Sequence, residues 1–319
     1  MAVPTLQLKV ARVRQETPDV TSFFLVHPDG RPLPSFAPGA HIDAHLADDL
    51  VRQYSLCNHP AETDHFHIAV KLEQNSRGGS KAMHEITVGS LLKIGTPRNN
   101  FPLSDEARSH VLLAGGIGIT PLLSMARHLQ RENESYRLEF FCRSIECTPF
   151  YEVISDELGA HAGFNIGLEP TAVRERLVSI LRKRPQCAHL YICGPSAFIT
   201  MATEIAKQNW PADCVHLEHF QPQHDLTQVN DRPFRVTLAQ SNREFEIPSD
   251  KSILDILRQN HIPCDSSCRE GVCGSCMVAV IEGEIDHRDS YLSDAEKEEG
   301  ELMMICVSRA KGGHLIIDM

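Results

Sequence analysis

Four cysteines near the C-terminus of this 319-residue chain carry its clearest chemistry: Cys268, Cys273, Cys276 and Cys306. They read C-x4-C-x2-C, then a gap of 29 residues, then the last cysteine. That is the plant-type spacing for a 2Fe-2S cluster. Such a cluster needs four thiolates around two irons, three from one tight loop and one from a returning strand. Gly271 and Gly274 lie inside the loop, and the expectation is that they let the backbone wrap close to the inorganic sulfides where a Cβ would clash. Backbone N–H groups then point at the cluster's negative charge. A structural zinc site is the alternative, but zinc favours paired C-x2-C arms, and only one arm exists here.

Four further motifs suit redox cofactors. Arg52-Gln53-Tyr54-Ser55 fits a flavin mononucleotide: Tyr54 against the isoalloxazine ring, Arg52 on the phosphate in a bidentate pair, Ser55 donating to the N5 edge. Arg77-Gly-Gly79-Ser80 opens a short helical stretch to Glu85, where free N–H groups make an anion site. Ala114-Gly115-Gly116-Ile-Gly118-Ile-Thr120-Pro121 lies between an apparent strand and helix, the place where a dinucleotide phosphate is cradled. It departs from the usual fingerprint, since Thr120-Pro121 replaces the final glycine. Cys193-Gly194-Pro195 closes a later strand, and ligands bind at those ends in doubly wound sheets. Cys193 reads either as a buried structural thiol or, beside a flavin and a nicotinamide, as a neighbour of the reacting carbon.

Three kinds of element must position these motifs. Up to about residue 100 the chain alternates in the manner of antiparallel β: Leu6–Val13, Thr21–Val26, His41–Leu46, Phe66–Lys71, punctuated by Pro and Gly. From about residue 109 apolar strands (His110–Ala114, Arg137–Cys142, His189–Cys193) alternate with helical stretches at Pro121–Leu129, Pro149–Leu158, Thr171–Lys183 and Ser196–Gln208. That alternation predicts a parallel doubly wound sheet. Gln221–Arg232 is polar and aperiodic, a linker. From Pro233 a third unit has strands around Phe234–Ala239 and Met277–Glu282 and a helix at Ile253–Asn260. The division expected is a β-barrel over 1–105, an α/β nucleotide domain over 106–222, a linker at 223–232 and an α+β ferredoxin domain over 233–319.

Hydrophobic residues make up 42% of the chain, enough for packed cores, and the formal net charge is −11. The acidic balance argues against nucleic acid and anionic membrane as partners. No apolar run is long enough to span a membrane, and the N-terminus lacks the pattern of a signal peptide. Seven cysteines beyond the four are scattered and odd in number, which suits a reducing cytoplasm. Acidic residues crowd the last unit at Asp286, Asp289, Asp294, Glu296, Glu298, Glu299 and Glu301; they read as a solvated face or as a docking patch for a basic partner. The histidines show no zinc or Rieske spacing, and no catalytic triad or carboxylate pair stands out. This chemistry needs none, because cofactors carry it.

The order of these motifs resembles the ferredoxin–NADP reductase superfamily with an appended cluster domain, and specifically the phthalate dioxygenase reductase family. The resemblance spans essentially the whole chain and is strongest in Cys273-Gly-Ser-Cys276, Asp286-His-Arg-Asp289 and Cys306-Val-Ser-Arg-Ala-Lys311. It implies FMN, NADH and a 2Fe-2S cluster in one reductase that feeds electrons to a separate Rieske-type aromatic oxygenase, a dioxygenase or an O-demethylase. It also implies that Val70 and Lys71 line the ribityl chain, that Gly79 and Ser80 form the phosphate loop, that Gln53 and Lys81 are read through their backbone, and that Thr120 and Phe220 approach the ring from the neighbouring domain. Cys264 is not expected to be a ligand. A monomer is expected. Two rivals are a reductase for a di-iron monooxygenase, in which the ferredoxin usually comes first, and an electron carrier or redox sensor that never turns over NADH. For the nucleotide, Arg143 can serve a 2′-phosphate, but nearby Glu146 repels one, and the resemblance favours NADH.

Overall fold

The structure, a computed structural model, describes residues 4–47, 50–74, 76–222 and 231–319. The expected linker therefore lies outside the described residues except for Asp231 and Arg232. The chain divides into two compact units, one ending at Glu218 and the other running from His219 to Met319.

The first unit opens with six antiparallel strands: β1 (Thr5–Thr17), β2 (Val20–Val26), β3 (His41–Ala47), β4 (Leu50–Ser55), β5 (Phe66–Lys71) and, after helix α1 (Gly79–His84), β6 (Leu91–Gly95). Their order is β4-β3-β6-β1-β2-β5. A single bridge between Leu56 and Ile68 joins the two ends of this sheet, so it closes as a barrel. Inside, Leu8, Val10, Phe23, Leu25, Ile42, Phe66, Ile68 and Ile94 form the core. The period-2 alternation places them there.

The same unit continues as β7 (Ser109–Gly115), α2 (Ile119–Arg131), β8 (Tyr136–Cys142), α3 (Tyr151–Leu158), β9 (Ala162–Ile166), α4 (Pro170–Leu181), β10 (Ala188–Cys193), α5 (Ser196–Ala206) and β11 (Val215–Glu218). All strand pairs are parallel, in the order β11-β10-β7-β8-β9. Strand order reverses between β7 and β10, which makes their C-terminal ends the switch point where such sheets bind ligands.

Three helix starts differ from expectation, each for a local reason. Pro121 is the third residue of α2 rather than its first, because the Gly116–Gly118 turn runs straight into the helix; an N–H that early has no intrahelical acceptor anyway. Helix α3 begins two residues later than Pro149, because Phe150 sits in the left-handed region at φ 62°. Helix α4 takes Pro170 at its first turn, where a ring-fixed φ costs nothing.

The second unit holds β12 (Phe234–Leu238), β13 (Arg243–Ile247), α6 (Ile253–Gln259), β14 (Met277–Glu282), β15 (Ile285–Asp286), α7 (Asp294–Glu299), β16 (Leu302–Met304), β17 (Arg309–Ala310) and β18 (His314–Ile317). A mixed sheet, β13-β12-β18-β14-β16, packs with α6 over a core of Val236, Leu254, Leu257, Met303, Met304 and Leu315. Helices α6 and α7 each start with a capping box, Ser252 with Asp255 and Ser293 with Glu296. Asp231 is clamped by Arg288 through two hydrogen bonds of 2.7 and 2.6 Å.

The first unit is built to lose stability in acid. Burial brings His41, His110 and His216 down from 6.5 to about 4, helped by Arg98 at His41 and by His189 at the other two. His216 stacks beneath Tyr191 and shares a 2.9 Å hydrogen bond with His189. The folded state therefore binds fewer protons than the unfolded state between about pH 6.5 and pH 4. Stability is complete above 6.5 and lost as pH falls through that window. Urea midpoints at pH 8, 6, 5 and 4 are expected to fall progressively below 6.5, and His216→Gln to flatten the decline. A pH-independent midpoint over that range refutes the account.

Candidate functional site

The cluster loop is built from the residue types the spacing requires. Cys268, Cys273, Cys276 and Cys306 are all buried. They stand as two pairs. Cys268 donates to Cys273, which draws Cys273 down and pushes Cys268 up. Cys306 is hydrogen-bonded to Cys276, and that contact together with burial pushes Cys306 up. Backbone N–H groups add to the donor set: Val272 toward Cys268, Ser275 toward Cys273, Gly271 toward Cys306. Among the described residues, no three His, Cys, Asp or Glu side chains converge as they would on one metal ion. Two thiol pairs instead suit two irons, with each pair on one iron. The residues present therefore fit a 2Fe-2S cluster, whose binding must displace the thiol protons.

The structure adds a protein reason for the loop glycines. Both are left-handed, Gly271 at φ 69° and Gly274 at φ 71°. A Cβ on Gly271 would meet Val307 Cγ2 at 2.6 Å and the Asp289 backbone at 3.0 Å; one on Gly274 would meet the Tyr291 ring at 2.5 Å. Protein packing is the neighbour shown to exclude the side chains there. Asp289 organises this wall. It is buried, accepts from the Tyr291 and Leu292 N–H groups at 3.2 and 2.8 Å, and its carbonyl accepts from Lys297 at 2.8 Å. Ser290 N–H donates to Gly271 O at 2.9 Å. Cys264 turns its Sγ to Ile262 O, donating at 3.4 Å, and burial raises it to about 11.

In the barrel, β4 is a terminal strand of the sheet order, with its far neighbour joined only at Leu56. Strand alternation puts Arg52 and Tyr54 on one face and Gln53 and Ser55 on the other. Tyr54 packs against the barrel core, and burial pushes its hydroxyl pKa up. Arg52 reaches the loop before α1, donating to Arg77 O at 3.1 Å. A Cβ on Gly79 would fall 2.5 Å from Arg52 Cγ, so only a glycine leaves the arginine stem that path. Gly78 enters α1 at φ 94° with no side-chain cap. Ser80 Oγ accepts from the Glu73 N–H at 3.1 Å, and Lys71 pairs with Glu73 at 3.3 Å. The structure thus brings Arg52, Gly79, Ser80 and Lys71 together around one short loop, and Val70 is buried beside it with its carbonyl on His84 at 3.0 Å. Gln53 turns away, donating to Asp43 at 3.1 Å. Lys81 is exposed. A positive-φ glycine, uncapped amides and an arginine on one loop fit the phosphate of FMN.

At the switch point the two glycine loops touch backbone to backbone. A Cβ on Gly118 would lie 2.3 Å from Cys193 O and 2.6 Å from Gly194 N; one on Gly194 would lie 3.0 Å from Gly115 Cα. Gly116 adopts φ 51° and faces open space. Thr120 is buried, its hydroxyl donating to Ile117 O at 3.0 Å. Pro195 is the N-cap of α5. Cys193 is fully buried, and burial followed by Glu218 pushes its thiol up. Glu218 is opposite Cys193 in register, and burial raises it to about 8. Sequence reasoning missed Glu218, because a lone Glu at the end of a four-residue strand carries no signal. Phe220 is half-buried and lies in the second unit, two residues past the end of β11.

The barrel, the parallel sheet and the paired thiols define an iron–sulfur flavoprotein oxidoreductase. Residues 236–311 match the family model described as a 2Fe-2S iron-sulfur cluster binding domain. The chain is 40% identical over 318 residues to the phthalate dioxygenase reductase of Burkholderia cepacia, covering 98% of this chain and 97% of that one. A solved structure titled phthalate dioxygenase reductase, a modular structure for electron transfer from pyridine nucleotides to 2Fe-2S, superposes with a TM-score of 0.76 at 38% identity, over 99% of this chain and 98% of that chain. Oxidoreductase NdmD of Pseudomonas putida is 38% identical over 308 residues, 96% of this chain, and the chain spans 52% of its length. The chain belongs to the phthalate dioxygenase reductase family.

Arg52 offers a direct check on the flavin loop. Arg52→Ala is expected to weaken FMN about tenfold to a hundredfold, since charge-assisted hydrogen bonds contribute about 1.5–3 kcal/mol each. Fluorescence titration of the stripped protein with FMN measures it. Unchanged affinity removes Arg52 from the phosphate site.

Proposed function

We propose that this chain oxidises NADH and delivers the electrons, through FMN and a 2Fe-2S cluster, to a separate Rieske-type aromatic oxygenase. The observation that carries the reading is the presence of all three stations on one chain, each with its own fold: the Arg52–Ser80 loop of the barrel, the Gly118–Cys193 contact at the switch point, and the two thiol pairs. When bound, the flavin accepts a hydride and releases its electrons singly to the cluster. The protein's part is positional. Gly118 and Gly194 let the two loops close up for the nucleotide, Arg52 holds the phosphate end of the flavin, and the Gly271 and Gly274 turns fix the thiols.

The proposed division is FMN on 1–105, NADH on 106–222 and the cluster on 233–319, with 223–232 joining them. Phe220 and Thr120 are assigned to the flavin ring. Six scattered thiols outside the ligand loop and Cys264 are free, which supports a reducing cytoplasm. Among the described residues, no helix is long and apolar enough to cross a membrane. The acidic residues of α7 and of Glu301 support a basic partner surface. A monomer completes the proposal. The test is a purified sample. Stoichiometric FMN and iron, bleaching by NADH, and electron delivery to a Rieske oxygenase uphold it; a sample that binds flavin and cluster but ignores NADH favours a simple electron carrier.

The nucleotide preference has its own test. Glu146 is exposed in the turn after β8, and a hydrogen bond from Ser144 holds its carboxyl below the ordinary range. It therefore stays ionised where a 2′-phosphate would arrive, beside Arg143. NADH is expected to show the higher kcat/KM. Glu146→Gln is expected to improve NADPH about twofold to fivefold, the scale of exposed charge pairs, and to leave NADH unchanged. Equal or better efficiency with NADPH in the unaltered protein overturns the assignment.

A further inference from the structure

A second cleft, away from the flavin and nucleotide loops, lies within the first unit. Its volume is about 580 Å³, and strands β1 and β2, the 58–67 segment, the C-terminal half of α2 and helix α3 line it. That volume falls in the range of small-molecule sites. Its walls carry four arginines, Arg12, Arg14, Arg127 and Arg131, against two carboxylates, Glu62 and Glu157. This is a cationic spot on a chain whose net charge is −11.

Two of the arginines are already used. Arg127 holds Glu157 through two hydrogen bonds of 2.8 and 3.0 Å and donates to Cys57 O at 2.7 Å. Arg14 pairs with Glu16 at 2.7 Å. The other two have no carboxylate partner among the described residues. Arg12 Cζ lies over the Phe24 ring, 3.6 Å from its centroid, and the residue is exposed. Arg131 is exposed at the end of α2. One comes from the barrel strand β1 and the other from the nucleotide sheet's first helix, and both line the cleft.

The wall also holds a donor that lacks an acceptor. His59 is 8% exposed, and its Nδ1 accepts from the Ala61 N–H at 3.0 Å. A neutral ring with Nδ1 accepting carries its proton on Nε2. That Nε2 is buried with no partner among the described residues. Burial and the neighbouring Arg131 hold the ring neutral. A buried unmet donor calls for an acceptor.

We propose that this cleft is a binding site for a small phosphate-bearing anion, held between Arg12 and Arg131 with His59 Nε2–H as the neutral donor. The site has a route to the chemistry. Helix α2 begins at the Gly118–Thr120 loop, and Ser124 Oγ donates to Asn58 O at 2.9 Å, beside His59. An anion bridging Arg131 to Arg12 fastens the far end of α2 to the barrel, and so steadies the loop at its near end.

Inorganic pyrophosphate is the probe, titrated calorimetrically into the FMN-loaded protein at constant ionic strength and with saturating NAD+. The expected result is binding that survives NAD+, that weakens at least about tenfold in R12A/R131A, and that is unaltered in R243A, a surface arginine of the second unit. The double variant must keep its flavin spectrum, since neither residue touches a cofactor loop. In the same titration the His59 Nε2–H resonance shifts in nitrogen-edited NMR. Absence of binding, equal affinity in R12A/R131A, or displacement by NAD+ overturns the site; a stationary His59 resonance removes His59 from it.

Discussion

Cys273→Ser or Cys306→Ser is expected to abolish the visible absorption and the reduced-state EPR signal of a 2Fe-2S cluster while flavin content stays at one per chain. The two variants attack different thiol pairs, Cys268 with Cys273 and Cys276 with Cys306, so each removes one of the two thiolates assigned to one iron. The effect is close to all-or-none, because binding of such a centre is part of the folding free energy of its domain. Cys264→Ser is the control: that thiol is turned to Ile262 O, and the cluster spectrum is expected to survive. A variant of any of the four that keeps a normal spectrum loses its place in the ligand set. A second readout separates cluster loss from unfolding. The domain core of Val236, Leu254, Leu257 and Leu315 takes in Cys276 and Cys306 but not Cys273, so Cys273→Ser is the variant expected to keep its far-ultraviolet dichroism where the cluster is gone.

The 2Fe-2S domain and the order of the three folds were legible in the sequence for a simple reason. Metal ligation fixes residue type and spacing together, and strand–helix alternation fixes sheet type. The Arg77–Ser80 turn was also legible, down to a short helix that ends at His84 with Glu85 as its C-cap, because consecutive glycines before a serine leave few other conformations. What escaped was set by tertiary context. Strands β6, β9 and β11 were missed, as were β13, β15, β16, β17 and β18 of the second unit: β11 is four residues with a histidine and a glutamate, and β9 is Ala-Gly-Phe-Asn-Ile. Their pairing comes from a neighbouring strand rather than from their own pattern. Phe150 delays the start of α3 through a left-handed backbone that no propensity of phenylalanine signals. The loop glycines were correctly singled out, but the neighbours shown to make them necessary, Val307, Asp289 and Tyr291, come from later in the chain. The second cleft was invisible for the same reason, since Arg12 and Arg131 are 119 residues apart in sequence.

The glycine contact at the switch point carries the other large effect. Gly118→Ala is expected to destroy productive use of NADH while FMN and the cluster remain bound. The added Cβ would sit 2.3 Å from Cys193 O, 2.4 Å from Cys193 C and 2.6 Å from Gly194 N. All three are backbone atoms on the end of β10, a fully buried strand paired with β7 along its length. A flexible side chain can swing aside; this backbone cannot, so the loops after β7 and β10 must part. Overpacking of this kind usually costs about 1–3 kcal/mol, and here the displacement falls on both loops assigned to the nucleotide. Fold losses of about ten to a hundred in kcat/KM for NADH follow if that cost appears in binding. Gly159→Ala, just after α3 and outside both loops, discriminates cause from coincidence. Its Cβ meets nothing within 4 Å, although its φ of 50° is strained for alanine. Backbone strain of about 1–2 kcal/mol is then its only penalty, so a drop in thermal midpoint with nearly normal NADH kinetics is expected. Steady-state reduction of ferricyanide by NADH, with melting curves for both variants, separates the two. If Gly118→Ala keeps the KM of the unaltered protein, the close approach of the two loops is packing alone and the nucleotide is held elsewhere.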